Sequence, residues 1–285
     1  VVTPIVQQIR LASPLGDVLE AEGLVLEPVG AVLALLLLEL LLGDLYGWRG
    51  LAIGLLSRLG GGVLIGVAVG WLLAELLRRL PSEHAVGLRL QLTLGVLFLM
   101  FAICEWLLPE SGLPASVAAG VVVGRRPSTQ AAQLDVLISE LARLAITMLF
   151  PLLAADVSWA ELSPLGWGGV SCVLVLMLLV RPAAVGVATI GLPLDWRQRL
   201  FMGWLAPRGI VTAAVASLFS IRLEQAGILG AGRLQGLVFL TILMTVGLQG
   251  LTAQPLARVL GLIQSEPEDS GEAALQAGEI LPDPG

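Results

Sequence analysis

Long apolar runs alternate with short polar connections from residue 14 to residue 261 of this chain. A helix needs about 20 apolar residues to cross the hydrocarbon layer of a bilayer. Eight segments meet or approach that length, at 14–43, 51–79, 86–108, 112–124, 132–154, 166–190, 198–220 and 234–261. The pattern therefore predicts an all-α, polytopic membrane helix bundle with about eight transmembrane helices. The fourth segment is short and carries Gly112, Pro114 and Gly120. Short spans interrupted by Gly and Pro point to the binding region of transporters; a small tilted packing helix accounts for this one equally well. In the second segment Gly62, Gly66 and Gly70 stand four residues apart and share one helix face. That stripe predicts close helix packing, in preference to a sliding or dimer surface.

Two segments hold breaks of another kind. In the sixth, Arg181 stands beside Pro182, mid-membrane; in the seventh, Arg208 stands between Pro207 and Gly209. A charge at that depth is costly and marks function by default. Proline removes a helix hydrogen bond, and irregular backbone at membrane depth is tolerated where it is buried in protein or lines a cavity. Broken helices with an embedded arginine predict a transport protein.

Composition sharpens this picture. Apolar residues make up 56% of the 285 and charged residues 13%, against roughly 25% charged in soluble domains. The net charge of −6 is set by residues 264–285, which hold Glu266, Glu268, Asp269, Glu272, Glu279 and Asp283 and no base. The membrane part is close to neutral, and nothing in the charge suggests nucleic acid. Two units follow: a membrane transport domain over 1–262, and an acidic tail over 263–285 read as disordered. The chain begins with Val rather than Met, and an N-terminal part is expected to be missing. Basic residues, all arginine, set the orientation. Alternation of eight crossings puts Arg10, Arg78, Arg79, Arg125, Arg126, Arg197, Arg199 and Arg258 on one face, and only Arg49, Arg222 and Arg233 on the other. The first face, with the C-terminus, is expected in the cytoplasm of a bacterial inner membrane.

Enzyme chemistry finds no foothold. The chain has no P-loop, nucleophile elbow or dinucleotide fingerprint. A single histidine, His84, and two separated cysteines, Cys104 and Cys172, cannot assemble a zinc-type cluster. No cofactor is expected, and the energy source must be an ion gradient.

The acids of the first segment carry the chemistry. Glu22 lies roughly 12 Å and Glu27 roughly 20 Å along the helix from residue 14, which puts Glu27 near the bilayer midplane. A buried carboxylate protonates, pairs with arginine or binds a cation, and each behaviour suits a proton-coupled cation carrier. Arg181 stays charged and needs a partner; Glu22 and Glu27 are the candidates. Pairing with Glu22, which leaves Glu27 free to titrate, is preferred, with the reverse open. Arg208 has the same acids available, or the carbonyls freed by Pro207. Glu39, Glu75 and Glu105 sit towards segment ends, where headgroup contact is expected, and Arg58, Arg89 and Arg143 can snorkel to the interface.

Three stretches together resemble sodium/proton antiporters of the NhaP type, in the cation:proton antiporter superfamily: VVTPIVQQIR with LEAEGLVLEPVGA, then LLVRPAAV, then GWLAPRGIVTAAVASL. The resemblance runs from Val1 to about Leu262 and is to the later eight helices of that family. It implies a partial inverted-repeat fold with broken helices, and exchange of a monovalent cation, Na⁺ first, for H⁺ by alternating access. It implies that Glu22 is the arginine-paired glutamate, Arg181 its partner, Glu27 the residue binding cation or proton, and Arg208 the arginine of a Gly-x-Arg-Gly-like signature. The partners implied are monovalent cations, protons and the lipid bilayer, and a homodimer is left open. Where the family usually has Asn-Asp, this chain has Leu26-Glu27, which keeps the carboxylate and removes an amide ligand. The family's first repeat, with its Thr-Asp-Pro crossing, is expected upstream of Val1. A gated cation channel and a non-transporting membrane scaffold are the alternatives.

Overall fold

A computed structural model describes residues 15–43, 47–79, 86–125, 129–155, 162–206, 210–228 and 230–263. They form helices α1 (Leu15–Leu42), α2 (Gly47–Arg79), α3 (Val86–Leu107), α4 (Gly112–Gly124), α5 (Thr129–Ala155), α6 (Gly166–Val175), α7 (Arg181–Ala188), α8 (Trp196–Trp204), α9 (Ile210–Gln225) and α10 (Gly232–Leu260). Among the described residues five helical stretches are long and apolar enough to cross a membrane: α1, α2, residues Gly87–Leu107 of α3, the run Ser163–Ala188, and α10; α4 is a shorter apolar helix. Leu56, Leu64, Leu251 and Val259 are each more than 70% exposed, an apolar surface of the kind that lipid covers. Trp48, Trp106 and Trp167 stand near helix ends with exposures of 84%, 84% and 87%. Alternation of the spans places all three towards one interface, where indole rings anchor to headgroups. The protein is an integral, multi-pass membrane protein.

Helix α1 is the hub. Its buried positions Pro28, Ala31, Val32, Leu35 and Leu36 recur every three or four residues, the spacing of one helix face. Leu15 and Leu19 at its start join Val185, Phe201, Leu205, Ala253 and Ala257 in one core, which binds α1 to α7, α8 and α10. At the far end Leu35 and Leu38 pack on Phe219 of α9. A second core unites Met100 and Cys104 of α3 with Ala115 and Ala119 of α4, flanked by Ile65 and Val69 of α2.

The glycine stripe of α2 lies against α4. A Cβ placed on Gly62, Gly66 or Gly70 would meet Ser111, Ala115 or Ala119 backbone at 2.5, 2.1 and 2.7 Å respectively. Backbone meets backbone at matched four-residue steps, so dispersion contacts replace a hydrophobic driving force that lipid does not supply. Gly66→Ala is expected to destabilise by about 2 kcal/mol, since a main-chain carbonyl cannot step aside. Thermal unfolding in detergent measures it, with Gly60→Ala, which would meet nothing within 4 Å, as the neutral control.

The seventh segment, expected over 198–220 as a span broken beside Pro207 and Gly209, is two helices. Helix α8 ends at Trp204, and Leu205 is extended, with φ −84° and ψ 110°. Residues 207–209 lie outside the described residues, and α9 begins at Ile210. A residue before proline is disfavoured in the α region, so the chain leaves the helix ahead of Pro207. The sixth segment is continuous but faulted: residues Leu176–Val180 form a π turn, and the Arg181 N–H donates to the Leu176 carbonyl five residues back. Pro182 has no N–H, and its ring would press on the carbonyl four residues earlier. One turn of wider winding absorbs that clash, and such turns frequently occur at functional sites.

Candidate functional site

The register of α1 against α7 brings the first charged pair together. Leu15, Leu19 and Glu22 fall on one face of α1, at steps of four and three. Val185 and Arg181, one turn apart on α7, form the matching face. Leu15 and Leu19 pack in one core with Val185, and one turn deeper the stripe changes from apolar to charged. Arg181 Nη1 donates to Glu22 Oε1, and Nη2 donates to Oε2 at 2.8 Å. The fork geometry is the bidentate arrangement that guanidinium favours. Both side chains are largely buried, at 14% and 21% exposure.

Arg181 has a third partner. Nη2 also donates to the Leu205 carbonyl at 3.2 Å, in the extended stretch after α8. Helix α8 reaches that position because Gly203 lets it approach α7: a Cβ there would lie 3.2 Å from Pro182 Cα. Its start is fixed by a capping box, in which the Asp195 side chain accepts from backbone and the Asp195 N–H donates to Gln198 Oε1 at 3.0 Å. Arg197 Nη1 donates to the Leu260 carbonyl at 3.4 Å, which joins the start of α8 to the end of α10.

Glu27 stands five residues beyond Glu22, about 7.5 Å along the axis and about 140° around it. It is half-buried and makes no hydrogen bond or ion pair among the described residues, whereas Glu22 on the same helix is doubly bonded. Pro28 follows it inside α1 and has no N–H to give the Leu24 carbonyl. Next to it Leu26 is 48% exposed, so the position where the family has an amide points away from the packed interior. Arg208 lies outside the described residues, as do His84 and residues 264–285.

Sequence reasoning passed over Gln249. Its side chain is 4% exposed, in the middle of α10. Its Nε2 donates to the Trp204 carbonyl at 2.7 Å, and its Oε1 accepts from the Ala206 N–H at 3.2 Å. One turn on, Thr252 Oγ1 accepts from Trp204 Nε1 at 2.9 Å. The signal was present: Thr241, Thr245 and Gln249 recur every four residues in an otherwise apolar run and are all buried, a polar stripe that lipid does not tolerate and a neighbouring helix does.

Several other charges pair with one another. Glu39 and Arg58 were expected at headgroups; instead Arg58 Nη2 donates to both Glu39 oxygens at 2.8 and 2.9 Å, tying α1 to α2. Glu75 pairs with Arg78 and Arg79, and Glu140 with Arg143. Glu105 accepts from the Glu110 and Gly112 N–H groups at 2.9 and 3.0 Å, capping the start of α4. In the connection outside the spans, burial and then the Glu105 charge push the Glu110 carboxyl above its ordinary range, against the opposing pull of Arg58 and Arg222.

The family model described as sodium/hydrogen exchanger, transmembrane, matches residues 1–259. Probable Na⁺/H⁺ antiporter 2 of Methanocaldococcus jannaschii is 24% identical over 90% of this chain and 66% of its own length. Antiporter NhaP2 of Shewanella oneidensis, named for K⁺ and H⁺, is 24% identical over 86% of this chain and 42% of its own length. The sodium proton antiporter MjNhaP1 of M. jannaschii, solved at pH 8, has the same fold, with a TM-score of 0.78 and 25% identity over 90% of this chain and 66% of that one. The chain thus spans just under two thirds of the length of the first relatives it matches.

Proposed function

This chain belongs to the sodium/hydrogen exchanger family, and on that premise we propose that the protein exchanges a monovalent cation, Na⁺ first, for H⁺ across a membrane by alternating access. The observation that carries the reading is the contrast within α1. Glu22 is held by both Nη atoms of Arg181, while Glu27 has no partner among the described residues. A half-buried carboxyl at membrane depth with no partner among the described residues binds a proton or a cation, and never both at once. That exclusion couples the two fluxes, because the site crosses loaded with one or the other. The Leu24 carbonyl, deprived of its helix donor by Pro28, is an oxygen of the hard kind that alkali cations accept. Arg181 supplies fixed positive charge that keeps a second cation from following the first, the role the sequence also suggests for Arg208. Movement of a helix bundle then opens the site to the opposite side. The cation, its side of release and a homodimeric assembly are parts of this proposal, as is a bacterial inner membrane with Arg78, Arg79, Arg197, Arg199, Arg258 and the C-terminus facing the cytoplasm.

The test is exchange by the native protein in liposomes loaded with a pH-sensitive dye. A pH gradient collapses on addition of Na⁺, Li⁺ or K⁺ if the reading is right, with a fixed ratio of protons to cations. Current without any fixed proton ratio would make the protein a channel, and silence with every cation would leave the scaffold reading.

A further inference from the structure

We infer that Gln249 is a positioning residue of the exchange site, one that holds the break after α8 open and thereby fixes the carbonyl on which Arg181 rests. The inference rests on the exchanger reading for its effect on transport, and on geometry alone for its effect on the backbone.

If α8 continued, the Ala206 N–H would donate to the Met202 carbonyl, the Trp204 carbonyl would accept from residue 208, and the Leu205 carbonyl from residue 209. All three groups are turned elsewhere. The Ala206 N–H donates to Gln249 Oε1 at 3.2 Å, the Trp204 carbonyl accepts from Gln249 Nε2 at 2.7 Å, and the Leu205 carbonyl accepts from Arg181 Nη2 at 3.2 Å. An unpaired backbone group at this depth is costly, so the extended stretch exists only while these side chains replace the helix bonds. Glutamine suits the task because one amide offers a donor and an acceptor side by side. It copies the edge of a neighbouring backbone and spans Leu205 from both ends. Leu205 itself is fully buried, and the guanidinium is the donor to its carbonyl among the described residues. Arg181 then divides its donors between Glu22 and this carbonyl, and the divided allegiance sets where the charge sits relative to Glu27. Gln249 touches neither acid; it acts through Leu205 and Arg181.

Two substitutions at this position test the inference. Gln249→Met keeps size and removes both bonds. Gln249→Glu keeps both bonds when the carboxyl is protonated and loses the donor when it ionises. For Gln249→Met the Ala206 amide is expected to exchange with deuterium at least about tenfold faster than in the native protein, and the apparent KM for Na⁺ to rise about five- to tenfold with kcat within about twofold, the scale of one lost hydrogen bond. Gln249→Glu is expected to match the native KM at acid pH and to rise above it at alkaline pH, towards but short of the Gln249→Met value, because the carboxylate still accepts from the Ala206 N–H. A residue that merely fills space would give equal KM values in all three proteins and no such pH switch, and that result overturns the inference. Unchanged Ala206 protection in Gln249→Met overturns it too, independently of transport. If the native protein shows no exchange while Ala206 protection still depends on Gln249, the exchanger reading fails and the positioning role stands.

Discussion

Replacing Glu27 with glutamine is expected to abolish cation-driven proton movement in liposomes while leaving insertion and helix content unchanged. The two side chains have nearly the same volume, and Glu27 makes no bond among the described residues for the substitution to break. What glutamine removes is the ability to change charge. Without it the site cannot alternate between a proton and a cation, and the coupling that defines exchange disappears. Glu27→Asp is the complementary variant. It restores the shorter carboxylate that the family usually carries, so exchange is expected to persist, with a changed order of preference among Li⁺, Na⁺ and K⁺ as the carboxyl withdraws by one methylene from its ligand position. Normal exchange by Glu27→Gln would remove Glu27 from the ion path, and loss in both variants would mean that position 27 serves packing. Helical circular dichroism and a monodisperse elution profile exclude misfolding as the cause.

Much of this arrangement was legible in the hydrophobic pattern. The spans α1, α2, α3 and α10 fall within a few residues of the apolar runs that predict them, because each run is bounded by Gly, Pro or charge. The glycine stripe of α2 was also legible, since spacing of four admits only one shared face. The break at 205 was foreshadowed by Pro207 and Gly209, but the sequence pointed to a disturbed helix where the structure has an extended stretch. Proline announces a lost hydrogen bond without saying who replaces it. The answer depends on Gln249, 43 residues further on, and on Arg181, 24 residues earlier. Pairings at such separations arise from the register of packed helices, and no local rule reads them. The π turn before Arg181 has the same origin: Pro182 requires a fault in the winding, and the packing of Gly203 against Pro182 belongs to α8, a different helix. Glu39 and Arg58 show the limit of depth arguments. Each stands near enough to a segment end to suggest water, yet they meet because α1 and α2 are consecutive and antiparallel, so their charges face across a shared interface.

Arg181→Ala is expected to lower stability by about 3 kcal/mol, a larger effect than on ion selectivity. The substitution deletes one partner of a bidentate pair and strands the other, and removing one member of a largely buried ion pair leaves an uncompensated charge. Glu22 must then either ionise without a counter-charge or bind a proton, and the Leu205 carbonyl loses its only described donor. Both penalties fall on the junction of α1, α7 and α8, where the core around Leu19, Val185 and Phe201 provides packing but no polar replacement. The double variant Arg181→Met with Glu22→Leu removes charge from both sides at similar volume. It is expected to recover part of the lost stability, because the stranded carboxylate goes and only the Leu205 carbonyl stays unmet. A thermal shift series in detergent across the native protein, the single variant and the double variant measures the coupling as the departure from additivity. A recovery of zero would mean that Arg181 stabilises the fold through Leu205 alone. A fully stable Arg181→Ala protein whose order of cation preference has changed would place this guanidinium beside the transported ion and make Glu22, not only Glu27, part of the binding site.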